Sequence, residues 1–221
     1  MTTATQPSMP IRRHLIRALI KPGNTLPAFV WLFLVFNQAV NSGYPPSPST
    51  IGLVVINSTA LVLFMIRRDA SKVGTPIEGL LAISGTFVES FLKDAGQLRD
   101  AQLLPTLVQA VALAGWAASL ATLGRSFGIV PADRGLVQHG PYRFVRHPVY
   151  AFEALFSVGY LMAAPDASSA LLGSSLAVPN AGIIALWAVL QVARIVREER
   201  ILGGYEEYRQ TVRWRLIPFV W

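Results

Sequence analysis

Residues 103–123 read LLPTLVQAVALAGWAASLATL, and this stretch decides the fold class. It contains no charged residue, and a helix needs roughly 20 mostly apolar residues to cross the hydrocarbon layer of a membrane. The whole chain of 221 residues agrees with this assignment, because 52% of its residues are hydrophobic and only 14% are charged. An average soluble domain carries about a quarter of its residues as charges. The sequence therefore predicts an integral membrane protein.

Further apolar stretches lie on both sides of this segment and predict an all-α, polytopic transmembrane helical bundle of about six spans, with five as the alternative. The predicted spans lie near 25–41, 51–66, 77–92, 103–123 and 149–164, with a last helix within 171–200. The third stretch contains Glu78 and Glu89, so its hydrophobicity alone does not decide whether it crosses. The last stretch is interrupted at Pro179, a residue suited to the first turn of a helix.

The distribution of basic residues predicts the orientation of these spans. If all six cross, the N-terminal segment, the loops 67–76 and 124–148 and the C-terminal tail share one side. Only Lys93 and Arg99 of the 19 Lys and Arg residues then lie opposite. Because basic residues concentrate in cytosolic loops, we predict a multi-pass protein with both termini cytosolic, in the plasma membrane if the source is bacterial.

Composition also excludes several classes of function. The net charge of +7 is explained by the cytosolic loops, so we expect no nucleic-acid partner. The chain has no cysteine, which excludes disulfides, thiolate nucleophiles and cysteine-ligated metals. Its three histidines have no ligand-like spacing, so we expect no metal site. The expected partner is the lipid bilayer, and the sequence leaves the oligomeric state open.

The chain divides into an apolar part, 1–123, and a part rich in polar residues, 124–221, in which we expect the chemistry. Two segments stand out there, GPYRFVRHPVY at 140–150 and RIVREER at 194–200. In the six-span arrangement both lie at the cytosolic interface. Basic side chains near a helix start at Pro148 would attract an anion, although the same residues could be topological anchors. The carboxylates of the second segment could bind a cation, or Glu198 could form an ordinary ion pair with Arg194.

The same residues carry a family resemblance. The C-terminal half resembles the isoprenylcysteine carboxyl methyltransferase and phospholipid methyltransferase group of integral-membrane enzymes. The matching pieces are LGRSF at 123–127, GPY at 140–142, RHPVY at 146–150, Glu198-Glu199, YEEY at 205–208 and LIPF at 216–219. Their joint order and spacing around two apolar helices carry the resemblance.

The resemblance implies methyl transfer from S-adenosylmethionine, bound in a pocket at the cytosolic face and without a Rossmann domain. The residues that it implies for the cofactor are Leu136, Val137, Gly140, Tyr142, Arg146, His147, Pro148, Tyr150, Glu198 and Glu199. Glu199 would bind the amino group of the cofactor. Arg194 and Glu199 are the implied catalytic residues, and Phe152, Glu153 and Arg194 the implied acceptor-binding residues.

Phe152 and Glu153 are unusual residues at their positions. The family often has a glycine where this chain has Phe152, a change that would narrow the pocket or alter the acceptor. Glu153 lies inside an apolar stretch, where an ionisable side chain either faces a cavity or extends toward the interface.

The predicted function is thus an S-adenosylmethionine-dependent methyltransferase that acts on a lipophilic or membrane-associated acceptor at the cytosolic face of the membrane. The reacting group of the acceptor could be a carboxylate, a thiol, an amine or a hydroxyl. Two alternatives are a small transporter or channel, in which Glu89 and Glu153 coordinate the solute, and a non-catalytic scaffold of the same fold.

Overall fold

The computed structural model describes residues 46–91, 103–163, 168–170 and 177–221, together with isolated positions between 28 and 40. The described positions between 28 and 40 are helical, and Trp31 among them is buried. The remainder of the predicted span near 25–41 lies outside the described residues.

Helices make up most of the described chain, as the sequence predicts. The helices are α1 (Pro48–Ile66), α2 (Pro76–Phe87), α3 (Leu103–Leu123), α4 (Pro148–Ala163), α5 (Asn180–Glu198) and α6 (Tyr205–Thr211). Short 3-10 helices cover Val88–Phe91, Gly124–Ser126 and Gly140–Arg143. Two small antiparallel ribbons, absent from the all-α prediction, pair β1 (Lys72–Val73) with β2 (Ala132–Asp133) and β3 (Ser168–Ala170) with β4 (Ala177–Pro179).

Local sequence fixes the starts of the first two helices. The Ser47 side chain accepts a hydrogen bond from the backbone N–H of Thr50, and proline occupies the first turn of α1. Thr75 and Glu78 form a reciprocal capping box at the start of α2, and proline again occupies the first turn of the helix. Such caps satisfy backbone donors that a helix leaves free at its N-terminus.

Three helices in the described part of the chain are long and apolar enough to cross a membrane, namely Pro48–Ile66, Leu103–Ser126 and Asn180–Glu198. The α4 helix is apolar but shorter, and α2 has only 12 residues before its 3-10 extension. The α5 helix begins at Asn180, because residues 177–179 pair as a strand with 168–170. The predicted helix within 171–200 therefore occupies only the second part of that range.

The β1–β2 ribbon brings together the loops that follow α1 and α3. Its register pairs Lys72 with Asp133, and the backbone N–H of Arg68 donates to the carbonyl of Arg125 at 2.7 Å. The ends of α1 and α3 therefore lie at the same level of the bundle. The start of α4 and the end of α5 meet at this level as well. We call this end of the bundle, formed by residues 67–76, 124–147 and 199–215, the polar end.

Side-chain burial suits a bundle in an apolar solvent. The buried core contains small and large apolar residues from several helices, namely Trp31, Ile56, Ala60, Phe64, Ala82, Leu120 and Ile129. The outer faces also carry large apolar side chains, such as Leu104, Val111 and Val189, which are 61%, 58% and 66% exposed. Extended apolar outer faces on three long helices are typical of contact with lipid.

Candidate functional site

A cavity of about 470 Å³ lies between α1, α3, α4, α5 and the loops of the polar end. Cavities that bind small molecules and cofactors usually have volumes of about 300–1,000 Å³. The wall changes in character along its length, and we divide it into three parts. The polar part is lined by Arg134, Leu136, Val137, Tyr142, Arg146, His147, Tyr150, Glu198, Tyr205 and Tyr208. The middle part is lined by Thr86, Glu89, Glu153, Ser157 and Arg194, and the apolar part by Trp31, Val35, Leu53, Ile56, Phe87, Trp116, Leu120 and Phe156.

The polar part is shaped by the turn that precedes α4. Gly140 has a φ of +58°, which favours glycine, and a Cβ there would lie 2.8 Å from the Thr122 hydroxyl. The turn places Tyr142 in the wall, where its carbonyl accepts a hydrogen bond from the Tyr208 hydroxyl at 2.6 Å. This contact joins the turn to α6, so the loop and the C-terminal helix form one side of the cavity.

The segment after α6 packs against the start of α4. The backbone N–H groups of Arg146 and His147 donate to the carbonyls of Trp214 and Arg215 at 2.8 and 2.9 Å. These bonds satisfy backbone donors next to Pro148, which begins α4. The backbone of Trp214 and Arg215 therefore fixes the position of Arg146 and His147.

Glu199 lies at the centre of a dense hydrogen-bonding network at the polar end. Its Oε1 is 3.2 Å from the Nε2 of His147 and accepts a bond of 2.7 Å from the Tyr205 hydroxyl. Arg215 donates from Nε to Oε1 and from Nη2 to Oε2, each at 3.0 Å, and the Nη2 of Arg146 lies 3.6 Å from Oε1. Both carboxylate oxygens are thus engaged within the protein.

The network sets the ionisation of its members. Burial alone would raise the pKa of Glu199, but hydrogen bonds from His147, Arg215 and Tyr205 lower it well below its usual range. Burial and the neighbouring Glu199 carboxylate both raise the pKa of Tyr205 above its usual range. At neutral pH Glu199 is therefore a carboxylate and Tyr205 a neutral hydroxyl donor.

Glu198 is placed differently from its neighbour. It lines the cavity, and its Oε2 accepts a hydrogen bond from the Tyr150 hydroxyl at 2.8 Å. The Tyr150 ring in turn stacks on the His147 ring, with centroids 5.7 Å apart. Glu198 is therefore the carboxylate that the described residues present to the polar part of the cavity.

Arg146 supplies the complementary charge. It is only 5% exposed and lines the same part of the cavity. Its Nε and Nη1 have no hydrogen-bond partner within the described part of the chain. Because unpaired buried donors are costly, these two N–H groups favour an anionic or carbonyl oxygen in the cavity.

The middle part holds the residues that the sequence assigned to the acceptor, apart from Phe152. Arg194 donates from Nη1 to the Thr86 hydroxyl at 3.1 Å and from Nη2 to the carbonyl of Ile129. Glu153 is buried, lines the cavity and accepts a bond of 3.1 Å from Gln191. Of the two alternatives for Glu153, the structure thus has the side chain in the cavity wall.

Four expected site residues do not line the cavity, namely Phe152, Gly140, Pro148 and Glu199. The Phe152 ring packs instead against Gly115 of α3. The shape of the wall still depends on the other three residues. Gly140 permits the turn, Pro148 begins α4, and Glu199 joins the side chains of the hydrogen-bonding network.

The sequence interpretation assigned no role to Arg215, whose guanidinium pairs with both oxygens of Glu199. It also assigned none to Tyr205 and Tyr208, although both belong to the YEEY piece of the resemblance. The signal that could have identified Arg215 is electrostatic, since a carboxylate close to a membrane usually has a cationic partner.

The model of the isoprenylcysteine carboxyl methyltransferase family matches residues 103–203, just under half of the chain, and supports the family resemblance found in the sequence. The matched segment contains α3, α4 and α5, with His147, Glu198 and Glu199. No curated protein matches the chain.

Proposed function

Because residues 103–203 match the isoprenylcysteine carboxyl methyltransferase family, we propose that this membrane protein is an S-adenosylmethionine-dependent methyltransferase acting on a lipophilic acceptor at the cytosolic face. One observation carries the proposal. The polar part of the cavity combines a carboxylate with a buried arginine whose two N–H groups have no partner among the described residues, and it continues into an apolar part.

The chemistry of the polar part fits the cofactor. S-adenosylmethionine carries a carboxylate, an ammonium, a sulfonium and an adenosyl group. The free N–H groups of Arg146 suit the carboxylate, and Glu198 suits the ammonium. The faces of Tyr150 and Tyr205 suit a sulfonium cation, because aromatic faces attract positive charge. Leu136 and Val137 offer apolar contacts to the adenosyl group.

We assign Glu199 a different role from the one that the resemblance implied. Its two oxygens already accept hydrogen bonds from Tyr205 and Arg215 and lie next to His147 and Arg146. A further ammonium would have to displace one of these donors. We therefore propose that Glu199 positions His147 and Arg146, and that Glu198 binds the amino group of the cofactor.

When bound, the cofactor supplies a methyl group activated by the positive sulfur. The protein then contributes mainly alignment, since displacement at a methyl carbon requires donor and acceptor at contact distance and in line. Arg194 is fixed by the Thr86 hydroxyl and the carbonyl of Ile129, and in this proposal its guanidinium orients the acceptor. The apolar part of the cavity holds the body of the acceptor and excludes water from it.

Calorimetric titration of the purified protein in lipid nanodiscs with S-adenosylmethionine tests the proposal. We expect saturable binding, weakened about tenfold by Glu198→Gln or Arg146→Gln, because each removes one charge-assisted hydrogen bond. Glu207→Gln, on the exposed face of α6, is the matched control and should bind like the unaltered protein. Absence of binding to the unaltered protein, or equal affinity for Glu198→Gln and the control, would overturn the proposal.

A further inference from the structure

The middle part of the cavity contains ionisable groups that methyl-donor binding does not use. Glu89 follows α2, and Glu153 belongs to α4. Ser157 connects them, because its hydroxyl lies 2.5 Å from the Glu89 carboxylate and 3.1 Å from the carbonyl of Glu153. The Glu153 carboxylate also interacts electrostatically with Glu89 and Arg194. We call Glu89 and Glu153 the carboxyl pair.

Two features of this group are incomplete without a ligand. Arg194 is only 6% exposed and lines the cavity, yet its Nε has no acceptor within the described residues. The middle part also contains two carboxyl groups, those of Glu89 and Glu153, but only one guanidinium, that of Arg194. A bound molecule that complements it must offer an acceptor to Arg194 and a donor to the carboxyl pair.

The candidate reacting groups differ in how they meet these two demands. A carboxylate would satisfy Arg194 but has no donor to offer to the carboxyl pair, and an ionised member of the pair would repel it. A protonated amine would satisfy the carboxyl pair but would leave the Nε of Arg194 unpaired and place a second cation beside it. A hydroxyl donates one hydrogen bond and accepts others, so it satisfies both demands without adding charge.

We propose that the acceptor is a lipophilic alcohol or phenol, whose hydroxyl lies between Arg194 and the carboxyl pair and is converted to a methyl ether. This inference rests on the proposed function. In the reaction a bond forms between the hydroxyl oxygen and the methyl carbon, and the carbon–sulfur bond of the sulfonium breaks with its electron pair remaining on sulfur. The hydroxyl proton passes to an ionised carboxylate of the pair, which acts as the general base.

The adjoining apolar part is suited to the body of such an acceptor. Its wall combines aromatic and aliphatic side chains from at least three helices, including Ile56, Leu120 and Phe156. Because the interior of the bilayer is about as apolar as this wall, a long alkyl substituent concentrates the acceptor at the membrane-embedded cavity and adds little net binding energy. The hydroxyl is the source of specificity.

A matched series of ligands tests the assignment. A para-alkyl phenol, the corresponding aniline and the corresponding benzoate, all with the same alkyl chain, differ only in the group that meets the middle part. Binding to the protein in nanodiscs is measured by calorimetry, with and without S-adenosylmethionine, and methylated products are identified by mass spectrometry. We expect the phenol to bind about tenfold more tightly than either analogue, the value of one well-made hydrogen bond, and to yield its methyl ether.

Variants identify the residues responsible. Glu89→Gln and Glu153→Gln should each weaken binding of the phenol and slow ether formation, whereas Glu207→Gln should do neither. The ligand series on the unaltered protein decides the matter even if a variant fails to fold. Preference for the benzoate or the aniline, or failure to bind any of the three, would overturn the hydroxyl assignment.

Failure of this inference is distinguishable from failure of the proposed function. Retained binding of S-adenosylmethionine together with preference for another ligand rejects only the hydroxyl assignment. If the unaltered protein does not bind S-adenosylmethionine, the proposed function itself is rejected.

Discussion

At the scale of single residues, two adjacent glutamates have separate environments because they lie at the end of a helix. Successive residues of an α-helix point about 100° apart. Glu198, the last residue of α5, reaches the cavity, whereas Glu199 turns toward His147 and Arg215. One carboxylate is therefore available to a ligand, and the other organises the wall.

Stability should depend on pH through Glu199. Its pKa is lowered on folding, so its contribution is complete above the unfolded-state pKa of about 4.3 and is lost as the pH falls from there through the folded-state pKa. At neutral pH we expect Glu199→Gln to cost about 2–3 kcal/mol of unfolding free energy, because Arg215 and Arg146 lose their anion.

Thermal unfolding of the nanodisc-bound protein measures this effect. The difference in midpoint between the unaltered protein and Glu199→Gln should be large at pH ~7 and should shrink at pH ~3.5. Glu206→Gln, in an exposed pair with Arg209, is the control and should change the midpoint little at either pH. A difference that stays constant over this range would contradict the ionised network.

At the scale of helices, the contact between α3 and α4 depends on glycine. A Cβ at Gly115 would lie 2.2 Å from the Phe152 ring, and a Cβ at Gly159 would lie 2.8 Å from the Gln109 side chain. Small residues permit such close approach of membrane helices. Phe152, which departs from the family's usual glycine, is thus matched by a glycine on the facing helix.

Filling the space at Gly115 should therefore destabilise the bundle. We expect Gly115→Ala to lower the unfolding free energy by about 2 kcal/mol, because the Phe152 ring must move. Gly182→Ala in α5, where the nearest side-chain atom lies at 3.7 Å, should be neutral or stabilising. Denaturant unfolding in mixed micelles measures both.

A double variant distinguishes packing from a backbone effect. Phe152→Leu should restore part of the stability lost in Gly115→Ala, because the smaller side chain vacates the space of the new methyl group. Strictly additive losses would show that the two residues do not act on each other.

At the scale of the whole molecule, the β1–β2 ribbon ties two loops of the polar end together. The six-span arrangement with cytosolic termini is still a prediction, and the absence of cysteine makes it directly testable. Single cysteines at Ser71, Arg143 and Gln210 should react with a membrane-impermeant maleimide from the cytosolic side only, and one at Lys93 from the opposite side only. Labelling of Ser71 and Gln210 from different sides of intact vesicles would reject this topology.

The sequence by itself indicated an apolar solvent and a family resemblance, and its apolar stretches predicted α1, α3 and α4 closely. The length of the apolar stretch predicted both ends of α3. The segments around His147 and Glu199 were expected to meet, and the His147 Nε2 indeed lies 3.2 Å from the Glu199 Oε1. The helices and the motifs are local properties, because a helix satisfies its own backbone and a motif is contiguous in the chain.

Only the tertiary structure decided which side chains face the cavity. Arg215, Thr86 and Glu89 are distant in sequence from the residues that they serve, and hydrophobic periodicity contains no information on such pairs. The direction of a side chain at a helix end also depends on where the helix stops. Although the two residues are adjacent, the Glu198 side chain lines the cavity, whereas the Glu199 side chain is hydrogen-bonded to other residues of the protein.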